Sequence, residues 1–140
     1  MFYISAFLLF FLCFYIGICY SALSPLVQEK ERILSKSLTE KGLKSSYIII
    51  SGYRPPWLNK ITPLAAKNSV HQVGKAIDIY VFDVNGDWKI NRKDVDIIVQ
   101  ELEKIDRLHP QLAGGLGTYF KSSPQMVHFD VSGGKRRWNY

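Results

Sequence analysis

The stretch Ser69-Val70-His71-Gln72-Val73-Gly74-Lys75-Ala76-Ile77-Asp78 decides how the rest of the chain is read. An imidazole on a turn, His71, precedes an apolar strand whose one carboxylate, Asp78, sits between Ile77 and Ile79. Strand alternation sends Asp78 to the face opposite those two neighbours. A lone carboxylate among apolar side chains is costly unless it is paired or bound to a metal. A second segment, Met126-Val127-His128-Phe129-Asp130-Val131, flanks another imidazole in the same way. Should the two strands lie side by side, two imidazoles and one carboxylate converge. With an open fourth position, that is the ligand set of a catalytic zinc. A single histidine near a strand is more often an ordinary core or surface residue, so the reading rests on the joint pattern. The remaining histidine, His109, stands beside Pro110 after a helix and reads as a surface residue at the helix end.

Working outward, Ser24 and Pro25 open a helical segment in which Leu26, Ile33, Leu34 and Leu38 share a face, and Glu29, Lys30, Glu31, Arg32 and Lys36 take polar positions. Gly42 is placed to end it. Tyr47 to Ile50 predicts a short strand stopped by Gly52 and Pro55-Pro56, and residues 55–70 read as a loop. Ala76 to Phe82 is a second strand. Val95, Ile98, Val99, Leu102 and Ile105 predict a second amphipathic helix over Asp94 to Leu108. Gly114, Gly115 and Gly117 punctuate a third strand ending near Phe120, Met126 to Val131 is a fourth, and Lys135 to Trp138 is a basic, aromatic tail. The class is α+β, a small, mainly antiparallel sheet with two helices.

The amino-terminal segment differs in kind. No charged residue precedes Glu29, and five of the eight Phe and both Cys fall within the first twenty positions. A charge in hydrocarbon costs about 2.5–3.5 kcal/mol, so Phe2 to Tyr20 reads as a membrane-inserting stretch. It is either a secretory signal, cleaved near Cys19-Tyr20-Ser21, or a retained anchor. Both place the remainder outside the cytoplasm, in a periplasmic or extracellular location. Residues 1–23 are therefore expected to be the leader or anchor, and 24–140 one folded domain. Beyond Tyr20 the domain has no cysteine, which excludes disulfides, a thiolate nucleophile and Cys-based zinc sites.

Four motifs in order extend the pattern: Ser51-Gly52-Tyr53-Arg54, the Ser69–Asp78 decapeptide, Gly114-Gly115-Leu116-Gly117-Thr118-Tyr119 and Val127-His128-Phe129-Asp130-Val131. Together they resemble the D-alanyl-D-alanine carboxypeptidase family of zinc peptidases, whose fold is shared with the hedgehog signalling domain. The resemblance covers about residues 46 to 138. It implies zinc held by His71, Asp78 and His128, with Arg54 binding a carboxylate or carbonyl oxygen of the substrate. Many relatives carry an acid three residues before the last His as general base for the attacking water. Gln125 stands there in this chain and cannot take a proton. Asp130, on the same strand face as His128, is expected either to serve as that base or to orient a ligand.

A further loop, Asp83-Val84-Asn85-Gly86-Asp87-Trp88-Lys89-Ile90-Asn91 with Asp94 beyond it, closely resembles the calcium loops of dockerin modules. Oxygen side chains at positions 1, 3, 5, 9 and 12 (Asp83, Asn85, Asp87, Asn91, Asp94) and the Lys89 carbonyl are the chelating set of an EF-hand loop. Trp88 occupies the turn position where glycine is usual. The alternative is a polar loop with Asn91 or Asp94 capping the next helix.

The expected function is that of an exported zinc metallopeptidase, acting as a monomer on peptidoglycan stem peptides, of carboxypeptidase or endopeptidase type. Calcium is a second candidate cofactor. Net charge +6 is compatible with an anionic wall polymer. A non-catalytic zinc-containing wall-binding module of the same fold is the alternative, motivated by Gln125. Nucleic-acid binding through Lys135-Arg136-Arg137-Trp138 is disfavoured by export.

Overall fold

The computed structural model describes residues 2–63 and 65–140, with side chains from Ala6 onward. The helices are α1 (Phe2–Ser21), α2 (Pro25–Glu40), α3 (Pro56–Ile61) and α4 (Arg92–Leu108), and the strands are β1 (Tyr47–Ser51), β2 (Ala76–Val81), β3 (Leu116–Thr118), β4 (Met126–Asp130) and β5 (Arg137–Asn139). They form one five-stranded sheet in the order β1-β2-β4-β3-β5. Every pairing is antiparallel except β3 with β5, which is parallel. The α+β class is as expected from the sequence.

Alternation divides the sheet into two faces. Ile77, Ile79, Val81, Val127 and Phe129 are buried against α2 and α4, where Val27, Leu34, Leu38, Val95, Ile98, Leu102 and Ile105 complete the core. Each of these side chains contributes about 1.5–3 kcal/mol by leaving water. Asp78, His128 and Asp130, being one residue out of phase with the core set, project from the other face.

Local chemistry sets the element ends. The Ser24 hydroxyl caps α2 by accepting from the Val27 N–H at 3.3 Å, and Gly42, with φ of 71°, follows the last turn. Asn91 and Asp94 form a reciprocal capping box at the start of α4. Three expectations need correcting. Residues 55–70 hold a short helix, α3, because Pro56 at its first turn needs no N–H partner there. The basic tail is a strand, paired with β3. On α2 the buried stripe is Val27, Lys30, Leu34 and Leu38, while Leu26 is exposed.

α1 carries exposed apolar side chains along most of its length, and its last turn packs on the domain. The Cys19 carbonyl accepts from the Tyr53 N–H at 2.8 Å, the Tyr15 hydroxyl donates to the Ile50 carbonyl at 3.1 Å, and Ser24 N–H donates to the Gly74 carbonyl at 2.8 Å. Gly74 has φ of 66°, and a Cβ there would lie 1.8 Å from the Ala22 carbonyl oxygen, so glycine is required twice over. Among the described residues no single helix is long and apolar enough to cross a membrane. Ala6–Ser21 and Pro25–Glu40, bent by 105°, pass that test only as a pair.

Candidate metal centre

The two motif strands do pair. In the β2–β4 register Asp78 faces His128 and Ala76 faces Asp130. β1 has a bulge between Ile49 and Ser51 that brings Ser51 level with Asp78. Such bulges re-aim a side chain at the point where pairing slips. His71 arrives from outside the sheet on a 3-10 turn, Val70–Val73, which Ser69 caps and Gly74 ends.

His71, Asp78 and His128 are buried and offer donor atoms that lie within 4.8 Å of one another; among the described residues no other group of three His, Cys, Asp or Glu does so. His71 Nε2 is 3.3 Å from His128 Nδ1 and 3.2 Å from Asp78 Oδ2, and His128 Nδ1 is 2.8 Å from Asp78 Oδ1. A tetrahedral zinc with bonds of about 2.0–2.1 Å needs ligand atoms about 3.3 Å apart. The two imidazole nitrogens stand at that separation, and the carboxylate reaches each of them with a different oxygen, at 3.2 and 2.8 Å, so the three side chains can supply one face of such a tetrahedron.

Each outer nitrogen has an acceptor of its own. His71 Nδ1 lies 2.7 Å from the Gly52 carbonyl, which can only accept, so that nitrogen carries the proton and Nε2 is left with a lone pair. His128 Nε2 lies 3.2 Å from Asp130 Oδ2, which leaves Nδ1 facing the centre. His71 is thus held in the tautomer a metal requires, while His128 meets a carboxylate at each ring nitrogen, Asp130 at Nε2 and Asp78 at Nδ1, and Asp130 keeps the outer proton in place when Nδ1 gives up its own. Burial pushes the Asp78 carboxyl up, but the hydrogen bonds and charge of His128 and His71 outweigh it and hold the carboxyl well below the usual range. Burial pulls His128 down, and its bonds to Asp130 and Asp78 raise it beyond the ordinary value.

Asp130 is fully buried, and both its oxygens are occupied. Oδ1 accepts from Gly115 N–H at 2.8 Å, Ser132 N–H at 2.9 Å and the Ser132 hydroxyl at 2.6 Å. Oδ2 accepts from Arg136 at 3.1 Å as well as from His128. Gln125, the residue at the usual base position, precedes β4, and its Oε1 is buried without a partner. Arg54 borders the centre. Its guanidinium lies 3.1 Å from Ser51 Oγ, 3.3 Å from Asn59 Oδ1 and 3.5 Å from Asp78 Oδ2, while its N–H donates to the His71 carbonyl at 3.0 Å. His109 ends α4 and takes no part.

Residues 30–138 match the family described as peptidoglycan L,D-endopeptidase MepK. The chain belongs to that family. The MepK family lies within the zinc peptidases related to the D-alanyl-D-alanine carboxypeptidases, so the likeness drawn from the four motifs holds at that level. No curated protein matches the chain.

The 83–94 loop has its own hydrogen-bond economy. Asp83 Oδ1 accepts from Gly86 N–H at 2.8 Å and Asp83 Oδ2 pairs with the Lys44 ammonium at 3.0 Å. Asn85, Asp87 and Asn91 each accept from the backbone N–H two residues on. Asp94 takes the N–H groups of Val84 and Asn91 at 2.9 and 3.0 Å. Trp88 does adopt the left-handed conformation, φ 66°, and Lys44 lies over its ring. Yet among the described residues these acids form no group of three with donor atoms within 4.8 Å of one another, Lys44 supplies the counter-charge, and calcium finds no support in the arrangement. The capping alternative describes Asn91 and Asp94.

The sequence reading named Ser51 and Trp138 without giving either a place at the site, and passed over Asn59. Ser51 and Asn59 were hidden because a bulge and a short helix bring them to Arg54. Trp138 was legible in principle: glycines two apart on one strand face, Gly115 and Gly117, signal that something bulky crosses there.

Proposed function

We propose that this chain is an exported zinc peptidase that cleaves a peptide bond in peptidoglycan stem peptides, as an endopeptidase of the MepK type. The carrying observation is the buried triangle of His71 Nε2, Asp78 carboxylate and His128 Nδ1, with each outer imidazole nitrogen already bonded to an acceptor. Bound there, zinc supplies a Lewis acid that polarises a carbonyl and acidifies water. The protein's own part is to orient. Gly52 and Asp130 hold the two rings, and Arg54, kept next to Asp78 by Ser51 and Asn59, presents its cation to a substrate carboxylate or a developing oxyanion. Export rests on the charge-free segment before Glu29 and on the exposed apolar side chains of α1. Appearance of the native chain in the cytoplasmic fraction would remove that part of the proposal.

A second reading is favoured by one observation: every oxygen of Asp130 is taken, and Gln125 replaces the usual acid. The domain would then hold zinc and bind the wall without cutting it. The purified full-length chain separates the two. We expect one zinc per chain and release of cleaved fragments from muropeptides. Zinc and wall binding without cleavage would establish the second reading instead. His71→Ala and His128→Ala should each lose stoichiometric zinc while His109→Ala retains it, and equal zinc in all three would refute the ligand set.

A further inference from the structure

One row of residues runs level across the whole sheet. β1 sets Ser51 beside Asp78, β4 sets His128 beside Asp78, β3 sets Gly117 beside His128, and β5 sets Trp138 beside Gly117. Laterally paired residues share a face, so the row on the metal-centre side reads Ser51, Asp78, His128, a gap at Gly117, then Trp138. The gap is filled by the indole. A Cβ on Gly117 would lie 2.2 Å from Trp138 Cε2 and 2.3 Å from Nε1, and one on Gly115 would lie 3.0 Å from Cζ3. The indole therefore lies across β3, with its ring centre 5.0 Å from that of His128 and tilted 45° to it. Nε1 donates to the Tyr119 hydroxyl at 3.3 Å, and the residue stays only half-buried.

Simple sheet stability does not call for this arrangement. Two glycines next to and within a three-residue strand weaken it, where β-branched residues would strengthen it. What the glycines provide is an aromatic surface beside a buried imidazole, at the opposite end of the row from Arg54, whose guanidinium rests on Ser51.

We infer that Trp138 contacts the substrate and determines specificity: its indole is the wall for the aliphatic side chain of a stem-peptide residue, on the far side of the metal centre from the anionic group held by Arg54. This rests on the zinc-peptidase reading. An aromatic face suits a methyl or methylene chain because it offers a large, rigid contact area, and it leaves the charged parts of the peptide to Arg54.

Two experiments test the inference on the full-length, zinc-loaded chain. The sequence has three tryptophans, so Trp57→Phe with Trp88→Phe leaves Trp138 as the only indole. Muropeptides released from sacculi by a muramidase should change its emission saturably. In the kinetic arm, Trp138→Ala should keep one zinc per chain but lose about tenfold or more in kcat/KM, chiefly through KM. Trp138→Phe should recover most of that. Gly117→Ala, which displaces the indole without removing it, should reproduce the loss. Wild-type kcat/KM in zinc-loaded Trp138→Ala, or an unchanged indole emission at saturating muropeptide in a protein that cleaves, overturns the inference while leaving the peptidase reading intact. A wild-type chain that takes up no zinc or cuts nothing overturns both.

Discussion

Asp130 is the residue on which the chemistry of this site turns. A carboxylate that accepts from Gly115, from Ser132 twice, from Arg136 and from His128 has no lone pair directed at a substrate. Its value to the site is through His128, whose outer N–H it holds. Removing such a partner weakens metal binding by about 10–100-fold. Asp130→Ala should therefore lower zinc affinity by that much in a chelator competition, whereas an activity loss at unchanged affinity would point to a role in proton transfer instead. The His71, Asp78 and His128 positions were legible because alternation puts an isolated acid and an isolated imidazole out of phase with their apolar neighbours. What Asp130 bonds was not legible. The same-face argument allowed both base and orienter, and the bonds from Gly115, Ser132 and Arg136 support the orienting role that the zinc competition tests.

At the scale of elements, α4 is held at its first turn and at its middle. The capping box of Asn91 and Asp94 fixes the first turn, and Asp94 also ties Val84 and Asn85 of the preceding loop. Asn91→Ala should cost about 1 kcal/mol in chemical unfolding, and a change near zero would show that Asp94 alone suffices. Midway along α4, Glu101 takes the Lys41 ammonium and the Ser37 hydroxyl, the latter at 2.7 Å, tying α4 to α2. Burial pushes its carboxyl up, but Lys41 and Ser37 more than offset this and hold it below the ordinary value. A depressed folded-state value means the stabilisation is complete above the unfolded carboxylate's value of about 4.3 and is lost as pH falls through the folded-state value. Wild type should thus lose thermal stability faster than Glu101→Gln on acidification below about pH 4.3, and parallel curves would exclude the contact as a contributor. The helical periods of α2 and α4 were readable because apolar residues recur every third and fourth position. α3 and β5 were not. Each is too short to show a period, and each is held by contacts distant in sequence.

For the molecule as a whole, a buried cation joins the layers. Lys30 on α2 is 1% exposed, and its ammonium donates to Asp106 of α4 at 2.6 Å and to the carbonyls of Leu112 and Asp130 at 3.1 and 2.9 Å. Asp106 also receives Arg137 of β5 at 2.9 Å. One network thus links both helices, the last ligand strand and the strand that carries Trp138. It also accounts for the basic tail: Arg136 pairs with Asp130, and Arg137 with Asp106 and Glu103. Removing one partner of a buried ion pair costs about 3–5 kcal/mol. Lys30→Ala should fall in that range in denaturant unfolding, and a loss under 1 kcal/mol would mean that water replaces the ammonium. Within the run Glu29-Lys30-Glu31-Arg32 nothing in composition singles Lys30 out. Its spacing from Val27 and Leu34 does, since three before and four after place it on the buried stripe.

The close passage of Ala22 over Gly74 has a practical side. Leu23 belongs to the core, and Ser24 bonds the turn that delivers His71. A shortened chain beginning at Pro25 would therefore lose a latch on the turn that carries His71 along with the apolar first helix, and anyone choosing where to start a recombinant version should keep Ala22, Leu23 and Ser24 whatever becomes of the residues before them.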